Sequence, residues 1–403
     1  MFPPAFGPRM GYLCKYLSQA GHEPTVITEY IPDDTFGFLK GDIPVVYLDF
    51  YKNKQKSTWI KIFLRNLFSD YKDKKVYKEA LKLTSKQSFD VILCSTYRTF
   101  PLLAAQKTAQ KTGLPLIVDL RDIIEQYTGN EFIARPLPKL LGLEKWIASF
   151  FRKKNLRQRN RVLRKANHIT TISPWHVDTL KHYNPDTSLI YNGYDPDIFY
   201  PASIRSNRFY ITYTGRLLSL TMRNPDLLFR AVKKLADELL IDSGSFCIRW
   251  FTDEQSQKMI RQEAGKYKID GLMEYSRYVP ATKIPEILNE SSILLLLTNK
   301  ADSSGPKGVM TTKFFEALAV EKPILCVQGD EGCLEEVINY THAGLSAHNE
   351  TEVYDYIKRH YLQWKQTGTV VSDVDRNAVK TFSRKEQASQ FIRIFIKVCN
   401  NNG

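Results

Sequence analysis

Short apolar, β-branched runs alternate along this chain with longer stretches in which apolar positions recur every three or four residues. The first set of runs predicts strands at residues 24–28, 45–48, 91–95, 116–119, 169–173 and 189–191. A second set predicts strands at 210–215, 246–252, 293–298 and 324–327. Ile293 to Leu297 is apolar at every position. That is the pattern of a strand buried on both faces, and so of a parallel sheet with helices on each side. Strands alternating with helical stretches give an α/β class.

The rhythm breaks at Tyr191-Asn192-Gly193-Tyr194-Asp195 and Tyr200-Pro201, and a fresh strand begins near Tyr210. Two doubly wound, Rossmann-like halves follow, residues 1–198 and 203–380. Open α/β sheets hold ligands beyond the carboxyl ends of their strands, and two such sheets facing each other make the central cleft the expected site. The opening departs from the pattern. Gly7-Pro8-Arg9-Met10-Gly11 reads as the turn after a first strand, and a helical pattern follows over 12–19. The first half is therefore read as lacking its opening strand.

A length of 403 residues suits two domains, and 43% hydrophobic with 25% charged residues is the profile of a folded globular chain. The formal charge of +14 favours an anionic partner: nucleic acid, an anionic membrane surface or a phosphorylated substrate. Six cysteines without a CxxC pair read as reduced, buried thiols of a cytoplasmic protein. No run approaches the ~20 apolar residues of a membrane span, and Met1-Phe2-Pro3-Pro4 opens no signal-peptide pattern.

The basic excess is concentrated. Residues 52–82 hold ten Lys or Arg against three acids and contain Ile60, Phe63, Leu64, Leu67 and Phe68 at helical spacing. Residues 152–165 hold eight basic residues and no acid, just after Leu143, Trp146, Ile147, Phe150 and Phe151. Basic helices with aromatic anchors suit peripheral attachment to an anionic membrane face. The competing reading is a core stripe with a solvated basic face. A nucleic-acid partner is set aside, because these residues lie beside apolar stripes rather than on a recognisable binding module.

Four constellations carry candidate chemistry. Glycines at Gly7 and Gly11 let backbone approach a phosphate, the following helix offers free N–H groups, and Arg9 adds charge; an ordinary loop is the alternative. Tyr213-Thr214-Gly215-Arg216-Leu217 closes a strand, so a guanidinium suited to two phosphate oxygens stands at the sheet's carboxyl edge, with Arg223 downstream. Thr311-Thr312-Lys313-Phe314-Phe315-Glu316 opens a helix after Gly308. Its N–H groups and hydroxyls would face the ligand, with Lys313 for phosphate and Glu316 for the two hydroxyls of a ribose. Asp119-Leu120-Arg121-Asp122 ends another strand, as an acceptor or catalytic cluster or, equally, a structural ion pair.

Taken together, these motifs resemble the retaining glycosyltransferase family four, the group 1 glycosyltransferases of GT-B fold. The resemblance runs nearly the whole length, through Phe2-Pro3-Pro4, Gly21-His22-Glu23, Asp119-Leu120-Arg121-Asp122, Lys165 to Ser173, Ile190 to Asp195, Tyr213 to Leu217 and Lys313 to Ala319. It implies a transfer of sugar from a nucleotide-sugar donor to a glycan or lipid-linked acceptor, as in bacterial cell-surface polysaccharide or glycolipid synthesis. It implies that Gly7 and Arg9 lie near the donor diphosphate, that Arg216 and Arg223 hold it, that Glu316 binds the ribose, and that residues 381–403 form a helix crossing back to the first half. Asp119, Arg121 and Asp122 would flank the reacting groups.

One departure stands out. Many members carry a further Glu eight positions before the ribose-binding one, and this chain has Gly308 there, leaving Lys307 or the N–H groups of Gly308 to Thr311 to meet the sugar. With no DxD pair on a loop after a strand, neither metal nor cofactor is expected. A dinucleotide-dependent oxidoreductase would need GxGxxG after a strand, which is absent. A GT-B sugar-nucleotide epimerase and a membrane-docking homologue with weakened catalysis remain as alternatives.

Overall fold

The computed structural model describes residues 7–30, 37–51, 58, 61–62, 65, 69–96, 99–126, 143–220, 223–298, 308–327 and 332–401. The stripe at Ile60, Phe63, Leu64, Leu67 and Phe68 lies outside them, as do Phe2 to Pro4 and Lys307. The chain divides into two compact units. One joins the residues up to Tyr191 with those from Arg384 onward, and the other is Asn192–Ser383.

In the first unit, helices α1 (Gly7–Gln19), α2 (Tyr71–Thr84), α3 (Leu102–Thr112), α4 (Leu143–Leu163) and α5 (Pro174–Lys181) alternate with six strands. These are β1 (Val26–Glu29), β2 (Val45–Leu48), β3 (Ile92–Thr96), β4 (Leu116–Leu120), β5 (His168–Thr171) and β6 (Thr187–Leu189). β1 and β2 form a parallel pair, and β3-β4-β5-β6 form a parallel sheet in chain order. Among the described residues no strand precedes α1. β4 is buried at all five positions, as a central parallel strand must be. Its Leu116, Val118 and Leu120 pack with Leu102 of α3, Leu163 of α4, Ile169 of β5 and Leu180 of α5. Ser173 caps α5 by accepting the His176 N–H, and Pro174 fills the first helical position, where a missing N–H costs nothing.

The second unit holds β7 (Phe209–Thr214), α6 (Asp226–Asp237), β8 (Phe246–Phe251), α7 (Glu254–Tyr267), β9 (Met273–Ser276), α8 (Ile284–Asn289) and β10 (Ile293–Leu297). It continues with α9 (Thr312–Ala319), β11 (Ile324–Val327), α10 (Gly332–Thr341), β12 (Gly344–Ala347), α11 (Glu350–Thr367) and α12 (Arg376–Lys380). All six strands are parallel in the order β12-β11-β10-β7-β8-β9. The chain builds outward from β7 through β8 and β9, then returns to β10 and builds the other way. That reversal leaves a crevice at the carboxyl ends of β7 and β10, where open α/β sheets bind ligands. Trp250, Phe209, Phe229, Phe246 and Ile211 centre the core.

Two short edge strands, β9 and β12, are additions to the sequence reading. The segment 192–198, read there with the first half, packs within the second unit. Tyr194 N–H donates to the Phe382 carbonyl at 3.3 Å, and the Asn192 amide reaches the Met310 carbonyl at 3.3 Å. The last helix, α13 (Arg384–Asn400), lies against α1, with the Arg384 guanidinium over the Tyr12 ring and that of Arg9 over Phe391, each 5.6 Å from the ring centre. No helix among the described residues is long and apolar enough to cross a membrane.

Candidate functional site

At the switch point of the second unit, three cations meet. β7 ends in Thr214, and Gly215 follows with φ +128°, a conformation that favours glycine. The turn leaves the Thr214 carbonyl exposed to the Lys313 ammonium, which donates to it at 2.6 Å. A methyl group on Gly215 would stand 1.3 Å from the Lys313 nitrogen, so the glycine makes room for the lysine. Arg223 donates to the Arg216 carbonyl and, at 3.5 Å, to the Tyr213 hydroxyl. Arg216 is held in turn. Its Nε donates to the Tyr278 hydroxyl at 3.0 Å, and that hydroxyl donates to Asp253 at 3.4 Å.

Lys313 lies in the first turn of α9. Burial, then the charges of Arg223 and Arg216, push its ammonium down to about 8, with Glu316 one turn on acting the other way. A lysine lowered chiefly by burial and further by two guanidinium groups is a group whose charged form an anion would favour. Thr311 occupies the N-cap in an extended conformation, but its hydroxyl makes no cap hydrogen bond. The helix start and the Thr311 and Thr312 hydroxyls thus add to the anion-binding character. Gly308 stands just upstream with φ +68°. Gly215, Arg216, Arg223, Gly308, Thr311, Thr312, Lys313 and Glu316 therefore all fall in this one unit. Tyr278 and Asp253 escaped the sequence reading because they depend on β8 and β9 ending side by side.

The first unit corrects two expectations. Arg9 does not offer its guanidinium to a ligand phosphate. It is buried, and donates to both oxygens of Asp119, at 3.1 and 2.9 Å, and to the carbonyls of Ile190 and Tyr191 at 3.0 and 2.8 Å. Asp119, with no exposed surface, also accepts from Ser95 and Thr170, each at 2.8 Å. Burial alone would raise this carboxyl, but Arg9, with help from Arg121 and Thr170, outweighs it and holds the group below the usual carboxylate range. The pair is a structural hub, joining α1 to the ends of three strands and to the last residues of the unit's continuous stretch.

Gly7, expected near the donor diphosphate, opens α1 and is buried there. Arg121, directly after β4, is buried. Asp122 differs from its neighbour. It is half-buried, accepts from Gln126 at 3.3 Å, and burial raises its carboxyl above the ordinary range. A carboxyl of that kind can hold and release a proton nearer neutrality.

Two family models match the chain. Residues 9–198 match the family described as Glycosyltransferase Family 4, and residues 196–366 match Glycosyl transferases group 1. No curated protein matches the sequence. Among solved structures, a glycosyltransferase from Rickettsia africae is similar at 15% identity and a TM-score of 0.67, over 98% of this chain and 96% of that one. Anabaena HepE in complex with UDP is similar at 15% identity and a TM-score of 0.65, over 96% of both chains. Sucrose-phosphate synthase from Thermosynechococcus elongatus follows at 13% identity and 0.62, over 96% of this chain and 91% of that one. At such identities the likeness is one of fold, the two-domain GT-B architecture.

Proposed function

Because the chain belongs to the group 1 glycosyltransferases, with a first half of the family 4 type, we propose that it moves a sugar from a nucleoside-diphosphate sugar to a glycan or lipid-linked acceptor at the cytoplasmic face of a membrane. Transfer in this reading proceeds with retention at the anomeric carbon, as the resemblance implies, in the synthesis of a bacterial cell-surface polysaccharide or glycolipid. The convergence of Arg216, Arg223 and Lys313 at the end of β7 carries the donor assignment. HepE, whose structures hold UDP and UDP-glucose, supports it.

The roles follow from placement. Arg216, Arg223 and Lys313 hold the diphosphate and offset the charge that develops on it as it leaves, which is the work a divalent cation does elsewhere. Glu316, one turn from Lys313 on α9, binds the ribose. Gly308 and the N–H groups through Thr311 meet the sugar. On the acceptor side Asp119 serves through structure, and Asp122 is the group that handles a proton. Asp122→Asn should therefore cut turnover while leaving nucleotide affinity alone; unchanged turnover would remove it from the site.

Calorimetry with UDP, GDP and ADP in EDTA tests the donor reading. At least one should bind the full chain, and Arg216→Ala or Glu316→Ala should weaken it by about 10- to 150-fold, the loss expected of a charge-assisted contact. Failure of all three nucleotides sinks the reading, and binding that appears only with manganese sinks its metal-free part.

The pH dependence is specific. Lys313 is charged below about 8 in the free protein, and a bound diphosphate favours that charged form. Affinity should be full below pH 8 and fall as pH rises beyond it, by up to about tenfold per unit until the raised pKa of the complex is reached. Lys313→Met should flatten the profile. A profile that stays level between pH 7 and 9.5 in the unaltered protein, or one that Lys313→Met leaves unchanged, would show that this lysine does not contact the diphosphate.

A further inference from the structure

We propose that Asp253 is a positioning residue of the donor site: through Tyr278 and Ser256 it fixes Arg216 from two directions, so that the guanidinium meets a diphosphate with its two terminal nitrogens. The inference rests on the donor reading above and adds to it the residues that aim Arg216.

Two chains of hydrogen bonds leave this carboxylate, which stands at the N-cap of α7, just past the end of β8. One runs to the Arg216 side chain. The Tyr278 hydroxyl donates to Asp253 Oδ2 at 3.4 Å and accepts from Arg216 Nε at 3.0 Å. The other runs to the backbone. The Ser256 hydroxyl donates to the same Oδ2 at 2.9 Å and accepts, at 3.0 Å, the N–H of Leu217, the residue after Arg216. The Arg216 carbonyl accepts from the Tyr213 hydroxyl at 2.8 Å and from Arg223. On its other side, the Gly215 N–H donates to the Phe251 carbonyl at 2.9 Å. Arg216 is thus held before, behind and along its side chain, with Asp253 at the root of two of the bonds.

The holding matters because Arg216 is exposed, so packing does not fix it. A long side chain that must be frozen when a ligand arrives weakens the binding; one already oriented does not. The contact with Tyr278 uses Nε, which leaves the end-on fork of the guanidinium for two phosphate oxygens. The ordinary alternative is that Asp253 only caps α7, since it also accepts the Ser256 N–H at 3.0 Å. Capping does not account for the rest. The Ser256 hydroxyl is buried and serves a loop N–H outside the helix, and Tyr278, 55% exposed, touches Arg216 and Asp253 together. Burial would raise the Asp253 carboxyl, but the Ser256 N–H and hydroxyl, with the charge of Arg216, hold it below the usual carboxylate range. It therefore remains an acceptor at neutral pH.

The test is a double-mutant cycle on the full chain, read by calorimetry with UDP, GDP and ADP. Tyr278→Phe keeps the ring and removes the hydroxyl; Asp253→Asn keeps a good N-cap and removes the charge. Each should weaken nucleoside-diphosphate binding by about fivefold to tenfold, with the unfolding temperature unchanged. Placed on Arg216→Ala, Tyr278→Phe should cost nothing further, because its effect passes through that guanidinium. Parent-like affinity in Tyr278→Phe or in Asp253→Asn overturns the proposal. An equal loss with and without Arg216 also overturns it, since the hydroxyl would then touch the nucleotide itself. A parent that binds none of the three nucleotides sinks the donor reading and this proposal with it, whereas a binding parent matched by its variants sinks the positioning alone.

Discussion

Arg9→Met should be among the most destabilising single changes in the first unit, costing about 3–5 kcal/mol, the range for removing one partner of a buried ion pair. The variant keeps the bulk of the side chain but strands Asp119, which would keep the hydroxyls of Ser95 and Thr170 and the more distant charge of Arg121 in a place without solvent. The melting midpoint of that unit should fall by about 10 °C. The pH dependence has a definite sign. In the unaltered protein the lowered Asp119 pKa contributes stability that is present above the unfolded value and is lost as pH falls through the folded one. In the variant the uncompensated carboxylate prefers its proton, so acidification should narrow the gap between the two proteins. Adding Asp119→Asn should recover part of the loss, because a neutral amide can be satisfied by the hydroxyls around it. Urea unfolding decides the matter: a variant midpoint equal to that of the parent, or a double variant no better than the single one, would show that the pair is not the hub described.

Gly215→Ala should have the larger effect on ligand binding. The new methyl group would occupy the position of the Lys313 nitrogen, and the φ of +128° is one that alanine rarely adopts. The lysine arm is flexible and would swing away, so the fold should survive. What is lost is the ammonium between Arg216 and Arg223, together with the turn that aims Arg216. Nucleoside-diphosphate affinity should drop by about 100-fold or more, the combined loss of a charged contact and a displaced neighbour. Near-parental affinity in calorimetry would mean that the turn tolerates a side chain and that Lys313 is not where the phosphate binds.

Legibility in the sequence followed burial. β10 could be read because a run of apolar residues has few uses other than a strand covered on both faces, and all five of its residues are buried. β9 and β12 could not. Met273-Glu274-Tyr275-Ser276 and Gly344-Leu345-Ser346-Ala347 lie at the two edges of the sheet, where neither length nor β-propensity is demanded. Gly344 even has a local reason, since a methyl group there would come within 1.9 Å of the Ile324 carbonyl oxygen. Arg216 and Lys313 were legible as a strand end and a helix start. Arg9 and Asp119 were each legible as charged residues beside a turn, but their union was not. They are 110 residues apart, and only the crossing of α1 over the end of β4 makes them partners.

The return of α13 to α1 sets an order of manufacture. A ribosome delivers the whole of 192–383 as one uninterrupted stretch before it delivers the helix that closes the first unit. The second unit can therefore complete itself on the nascent chain, since domains generally fold as units during synthesis. The first unit, although α1 emerges before any of 192–383, waits for residues that emerge after that stretch: Phe391 under the Arg9 guanidinium, and Gln387 at the Tyr191 carbonyl. A premature stop just after Ser383 would thus spare the half nearest the lesion and leave the N-terminal half unfinished.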